Sequence, residues 1–276
     1  GGPASRHGRF FLFSLLVWSA STNTTFAQTP DGWDWSGRLT NNQTEYASAV
    51  AVDSANGAVY TVGQEDKAFS FLGGLWALLF GGSTASDGYI IKQALNGAVQ
   101  WQFPIGGSGE DACTGVCVDA AGNIYVTCYF SGSGASFTGI SGSNQTMTSA
   151  GGRDLFVVCY SASGVLQWKM HAGSSGDDQT NGICIAGSKV FIGGSFNGSP
   201  TIAGLATSSA AAGVTNRTHA FLTALQTGDG SGVWRVDGSN GENSAFNAVA
   251  TDGTKVYALG LHKGTAYGYG NAAGPL

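Results

Sequence analysis

Between residues 45 and 262 the chain runs in short stretches of alternating apolar and polar residues, separated by clusters of Gly, Asn, Asp and Ser. Alternation with period two predicts strands with one buried side, and the clusters predict tight turns. Long runs of helical period are missing. The stretches also recur in a fixed order. Trp35, Trp101, Trp168 and Trp234 stand at intervals of about 66 residues, and self-similarity at a fixed spacing marks a repeat architecture. After each Trp comes a polar loop with an acidic residue: "NNQTEY", "GSGEDA", "GSSGDDQ" and "SNGENS". A pair of valine- or isoleucine-rich strands around a tight turn follows, as in "GVCVDAAGNIYVTCY" and "GICIAGSKVFIGG". A Gly/Ser/Thr-rich insert of about two dozen residues comes next. A second apolar hairpin ending in the next Trp closes the unit, as in "DLFVVCYSASGVLQW".

Within these units the alternation assigns faces. Val99, Trp101 and Phe103 share one side of the last strand, as do Leu166, Trp168 and Met170, and Trp234 with Val236. The first strand carries branched residues on one side (Val50 and Val52, Val116 and Val118, Ile183 and Ile185) and small ones on the other. A strand buried on both sides, one of them crowded, suits the innermost position where units converge. The expected fold is therefore all-β: a β-propeller of four-stranded antiparallel blades, with about three and a half present and the ring incomplete. Units fall at about 45–103, 112–170, 179–236 and 245–276. In such an array the acidic loops and the inserts share one face.

Composition extends this picture. Charged residues are 11% of the 276, against roughly 25% in an average soluble domain, and 45 glycines take much of their place. That balance points to an extracellular surface. The net charge is −5 and the few Lys and Arg are scattered, so a nucleic-acid groove, which needs clustered basic residues, is not expected. Arg6 and Arg9 precede an apolar core from Phe10 to Ala20, and Thr25 and Ala27 suit cleavage before Gln28. Residues 1–27 therefore read as a signal peptide, too short to be a transmembrane span, with 28–44 a leader holding the first Trp strand. The expected location is secreted or cell-envelope. The first residue is Gly and the pattern is still running at Leu276, so a longer protein is expected.

Three cysteines crowd the stretch "CTGVCVDAAGNIYVTC". Aligned by unit, Cys117 takes the place of Ala51, Cys184 and Ala250. Cys128 takes that of Gly63, Gly194 and Gly260, and Cys159 that of Lys92 and Ala224. These are places for small side chains, and a free Cys behaves as a small buried hydrophobe. One alternative stays open. If Val118 pairs with Asn123, Cys113 faces Cys128, and a cross-strand bridge is available in an oxidising compartment. No CxxC pair with a nearby His completes a zinc site.

The units "VCVDAAGNIYVTCYFSGSGASF" and "GGRDLFVVCYSASGVLQWKMHAGSSGDD" resemble the bacterial β-propeller repeats called SBBP. The resemblance covers residues 35 to about 262 and is fullest in the second unit. The third departs with Ala186 for the turn Asp and His219 for the Asp before the apolar strand. The resemblance implies an exported surface or secreted propeller beside other extracellular modules, and supplies no catalytic residue.

Asp53, Asp119 and Asp252 are expected to brace the turns they enter. His171, His219 and His262 lie at non-equivalent places and form no ring. No Gly-x-Ser-x-Gly elbow, phosphate loop or His-Glu-x-x-His occurs. Two features survive as candidate sites. The loop acids Glu45, Glu110, Asp111, Asp177, Asp178 and Glu242 recur around the array, as ligands for Ca²⁺ or as solvated loop charge. The first insert, "AFSFLGGLWALLFGG", carries Phe69, Phe71, Leu75, Trp76, Leu79 and Phe80, more apolar surface than one hairpin covers. It reads either as a contact for a partner or as a face covered by further domains of the same chain. In the other inserts Phe137 and Ile202 are expected to tuck back on their own unit. Beyond the candidate Ca²⁺, no cofactor is expected. The expected function is a non-catalytic binding, adhesion or scaffold module whose partner is a protein or glycan at the cell surface. The alternative is a propeller enzyme of lactonase, lyase or quinoprotein type with its site at the channel mouth.

Overall fold

The structure, a computed structural model, describes residues 45–66, 86–137, 145–207, 217–238, 243–262 and 265–270. Fifteen strands occur among the described residues, with no helix. The first unit holds β1 (Glu45–Asp53), β2 (Ala58–Asp66), β3 (Ser86–Ala94) and β4 (Val99–Gly106). The second holds β5 (Ala112–Val118), β6 (Ile124–Phe137), β7 (Gln145–Tyr160) and β8 (Leu166–Ala172). The third holds β9 (Gln179–Ala186), β10 (Lys189–Phe196), β11 (His219–Gln226) and β12 (Gly232–Asp237). Three strands follow: β13 (Ser244–Thr251), β14 (Val256–His262) and β15 (Thr265–Gly270). Each strand pairs antiparallel with the next within its unit. Trp101, Trp168 and Trp234 all lie on last strands, as the alternation predicts.

Register aligns the units side chain by side chain. Ala51 pairs with Tyr60, Tyr60 with Lys92, and Lys92 with Trp101. The same row is Cys117–Tyr125–Cys159–Trp168 in the second unit and Cys184–Phe191–Ala224–Trp234 in the third. The two rings of each row lean together across the residue between them. Tyr60–Trp101, Tyr125–Trp168 and Phe191–Trp234 all have centroids 5.9 Å apart, tilted by 46°, 48° and 40°. Cys159 and Ala224 are small because two aromatic rings arch over them. In the first unit Lys92 takes that place by running its chain out under the rings, so that its Nζ donates to Ala162 O at 2.7 Å.

Three apolar cores lie between successive units. The aromatic face of one unit (Tyr60, Ile90, Trp101) meets the branched aliphatic face of the next (Ile124, Val126, Val158). Tyr125, Val157 and Trp168 meet Val190 and Ile192 in the same way, and Phe191, Leu222 and Ala224 meet Val256 and Ala258. First strands stand side by side: β5 packs on β1 and β2, β9 on β5 and β6, and β13 on β9 and β10. The tryptophans add a polar stitch between units. Trp168 Nε1 donates to Thr227 O in the third unit at 2.7 Å, and Trp101 Nε1 to Ala162 O in the second at 3.5 Å.

Three features depart from the alternation. Every first strand carries a bulge, at Ser48, Thr114, Asn181 and Asn247. Val118 accordingly pairs with Ile124, not with Asn123, and the bulge at Thr114 brings Cys113 back opposite Cys128. The second insert is mostly not a loop. β6 and β7 continue through it, and Ile105–Phe137 with Gly106–Ser136 pair β4 to β6, joining eight strands into one sheet. Finally, Val99 and Val236 are exposed although their strand neighbours Trp101 and Trp168 are buried. Phe137 and Ile202 are buried on their own units, as expected.

Candidate functional site: the acidic loops and Arg153

Each turn aspartate is used up by its own turn. Asp119 Oδ1 accepts from the N–H groups of Ala121 and Asn123, while Oδ2 accepts from Asn123 Nδ2 and Tyr125 Oη. Asp252 repeats this with Thr254, Lys255 and Tyr257. Asp53 accepts twice from Asn56. The aromatic residue that begins the second strand thus has a double task where it is Tyr: its ring joins the row, and its hydroxyl holds the turn.

In the loops after β4 and β8, Asp111 and Asp178 occupy equivalent places and are fully buried. Asp111 accepts from Gly107 N at 2.8 Å and Ser131 N at 3.3 Å. Asp178 accepts from Ser174 N at 2.6 Å, Ser174 Oγ at 2.8 Å and Asn197 N at 3.2 Å. One oxygen closes the loop and the other ties it to the start of the following insert. These contacts place acidic loop and insert together, as the array predicts. Burial pushes the Asp178 carboxyl up to about 6; the Ser174 and Asn197 donors oppose that rise, and the neighbouring Asp154 adds to it.

Glu110 and Asp177 converge on a residue the sequence did not single out. Arg153 Nη2 meets Glu110 Oε2 at 2.6 Å, and the Arg153 backbone N–H donates to Asp177 Oδ1 at 2.9 Å. Its guanidinium lies 4.7 Å from the Tyr129 ring centroid. The pair is partly exposed, at 34% and 45%, so its net contribution is small, about 0–1 kcal/mol. Beside it, His171 Nε2 lies 2.9 Å from the buried Asp154 Oδ2, which also accepts from Ala150 N. The cluster fastens the end of the second insert to the loop that opens the third unit. A further unanticipated pair, Arg235 and Asp237, is buried, and Arg235 Nη1 also donates to Pro200 O and Leu205 O in the third insert. With only 12 Lys and Arg in the chain, each basic residue near an insert was a signal available in the sequence.

The remaining candidates are placed as follows. Glu45 begins β1, opposite Glu65. Glu242 and the apolar insert residues Phe69, Phe71, Leu75, Trp76, Leu79 and Phe80 lie outside the described residues. Among the described residues no group of three His, Cys, Asp or Glu could hold a metal ion, and no helix is long and apolar enough to cross a membrane. His219, where the other units have Asp87 and Asp154, is buried and stacks on Phe196 with centroids 5.4 Å apart. Neither of its ring nitrogens has a hydrogen-bond partner among the described residues. No protein-family model matches the chain, and no curated protein matches it.

Proposed function

We propose that this chain is a non-catalytic β-propeller module of a secreted or cell-surface protein, serving for binding, adhesion or scaffolding. The observation that carries the propeller reading is the repeated packing of each unit's aromatic face on the next unit's aliphatic face, with first strands side by side. A constant step between four-stranded units turns the array about an axis, and typically 4–8 such units close a ring. The likeness of the units to bacterial propeller repeats supports the same reading. For function, the repeated polar side chains supply the argument: those of Asp53, Asp111, Asp119, Asp178 and Asp252 accept backbone N–H bonds. Groups so engaged hold turns and loops, and chemistry is not their task.

The partner this reading implies is a protein or glycan at the cell surface, or further domains of the same polypeptide, met on the face of loops and inserts. Electron microscopy of the purified full-length protein should show a ring or an arc of ring curvature; an extended rod would sink the propeller. Expression with residues 1–27 should release a product beginning at Gln28. The runner-up, a propeller enzyme, is tested on the same preparation with lactones, anionic polysaccharides and quinone-dependent alcohol oxidation. Turnover that survives repurification would overturn the non-catalytic reading.

A further inference from the structure

In each unit the residue just before the first-strand bulge pairs with one particular residue of the second strand. The pairs are Ala47–Gly63, Thr180–Gly194 and Phe246–Gly260, and in the second unit Cys113–Cys128. Glycine has a geometric cause here. A Cβ built on Gly63, Gly194 or Gly260 would lie within about 2 Å of a bulge carbonyl, that of Tyr46, Gln179 or Ala245. The second unit alone puts a side chain there, and the same unit alone puts a cysteine on the opposing strand. The departure from Gly and the appearance of a second thiol therefore occur together, on one register pair. The two Sγ atoms are 2.7 Å apart, both residues are fully buried, and their neighbours are the first core's apolar side chains. Cys117, Cys159 and Cys184 have a different cause, since all three occupy small places in the aromatic rows.

We propose that Cys113 and Cys128 form a disulfide that clasps β5 to β6 when the chain matures in an oxidising compartment. The oxidant is a disulfide donor, a small molecule or a thiol–disulfide exchange protein. One cysteine thiolate attacks a donor sulfur and expels the other as a thiolate, giving a mixed disulfide. The second cysteine thiolate then attacks the mixed disulfide at the protein sulfur and releases the remaining donor sulfur. The two protons of Cys113 and Cys128 end on the donor, which is reduced by two electrons as the cysteines are oxidised. The exchange takes place on the β5–β6 hairpin before the sheets dock. Afterwards both sulfurs are sealed, with Gly88 of β3 so close that a Cβ there would lie 3.0 Å from Cys113 Sγ, and burial pushes the Cys128 thiol well up, which suppresses the reactive thiolate.

The test uses the full chain recovered from an oxidising secretory compartment and unfolded in the presence of an alkylating reagent. Three cysteines, Cys117, Cys159 and Cys184, should be modified, and all five after prior reduction. A non-reduced peptide map should join Cys113 to Cys128. Reduction should lower Tm by roughly 10 °C, as expected for a closed loop of this size. Cys113→Ala with Cys128→Gly recreates the pair of the first unit, and should melt like the reduced wild type whether or not reductant is present. Five modified cysteines without reduction, a bond joining any other pair, or a wild-type Tm indifferent to reductant each overturns the proposal.

Discussion

Beneath the loop that follows β8, Asp178 holds three donors but gives up its hydration, and its carboxyl stands at about 6 against an ordinary 3.8. A raised carboxyl binds protons more readily in the folded than in the unfolded chain. Between pH 4 and 6 the folded state is then the more protonated, so stability from this group is lost as pH rises through that window, by ~3 kcal/mol as an order of magnitude. Urea unfolding at pH 4, 5, 6 and 7 should show this slope, and Asp178→Asn should remove it. The variant should also be weaker at every pH, because its amide puts a second donor where Ser174 or Asn197 already donates. An unchanged slope in the variant would assign it to other carboxyls. Asp252 works in the opposite sense. Donors from Thr254, Lys255 and Tyr257 hold it below the usual carboxylate range, so its contribution is present at neutral pH and lost as pH falls below about 4. The same residue type in two polar loops carries opposite pH signs because one is buried and the other is not.

At the scale of strands, the rows of rings set what each position tolerates. Trp168 packs under Gly230 of the third unit, which has a φ of +73° and whose added Cβ would come 2.6 Å from Trp168 Cε3. Gly230→Ala combines a left-handed backbone with that clash, and should cost about 1–3 kcal/mol in thermal or urea unfolding. Trp168→Phe should cost a similar amount by removing the Nε1–H bond to Thr227. Cys159→Leu should destabilise by overpacking beneath Tyr125 and Trp168, about 1–3 kcal/mol, while Cys159→Ala should be nearly neutral. If Cys159→Leu is neutral as well, the rows do not set size. These rows were legible in the sequence, because the spacing of Trp101, Trp168 and Trp234 and the small places of Cys117 and Cys159 follow from period two alone. The bulges were not legible, since an extra residue at Thr114 leaves the alternation on either side intact. Nor was the continuation of β6 and β7 through the second insert, because Gly, Ser and Thr at that density read as loop, and it is pairing with β4 that makes them strand. Arg153 escaped for another reason: Glu110 lies 43 residues before it, and no local pattern links the two.

The array has a direction, and its two ends differ. Inside it, the aliphatic face of one unit is covered by the aromatic face of the unit before it, as Val116 and Val126 are covered beside Tyr60 and Trp101. At the first unit the residues equivalent to Val116 and Val118 are Val50 and Val52, and they are 57% and 58% exposed. At the other end the aromatic face shows Tyr257, Leu259 and Leu261, of which the two leucines are 57% and 47% exposed. The two exposed faces are therefore the two halves of an interface the molecule already makes three times. A contact that joins unlike faces is heterologous, and adds copies head to tail until the rotation closes. The purified 276-residue chain should accordingly associate as its concentration rises, with sedimentation velocity showing species larger than a dimer. Val50→Lys with Val52→Lys blocks one end, and Leu259→Lys with Leu261→Lys blocks the other. Each double variant alone should be monomeric, because its remaining end meets only blocked partners. Mixed one to one, they should form a dimer and nothing larger, since only one productive pair of faces remains. Side chains already in water add little to the folded monomer, so neither variant should lower Tm by more than about 2 °C. Association that persists unchanged in the separate variants would mean that these faces are not where the copies meet.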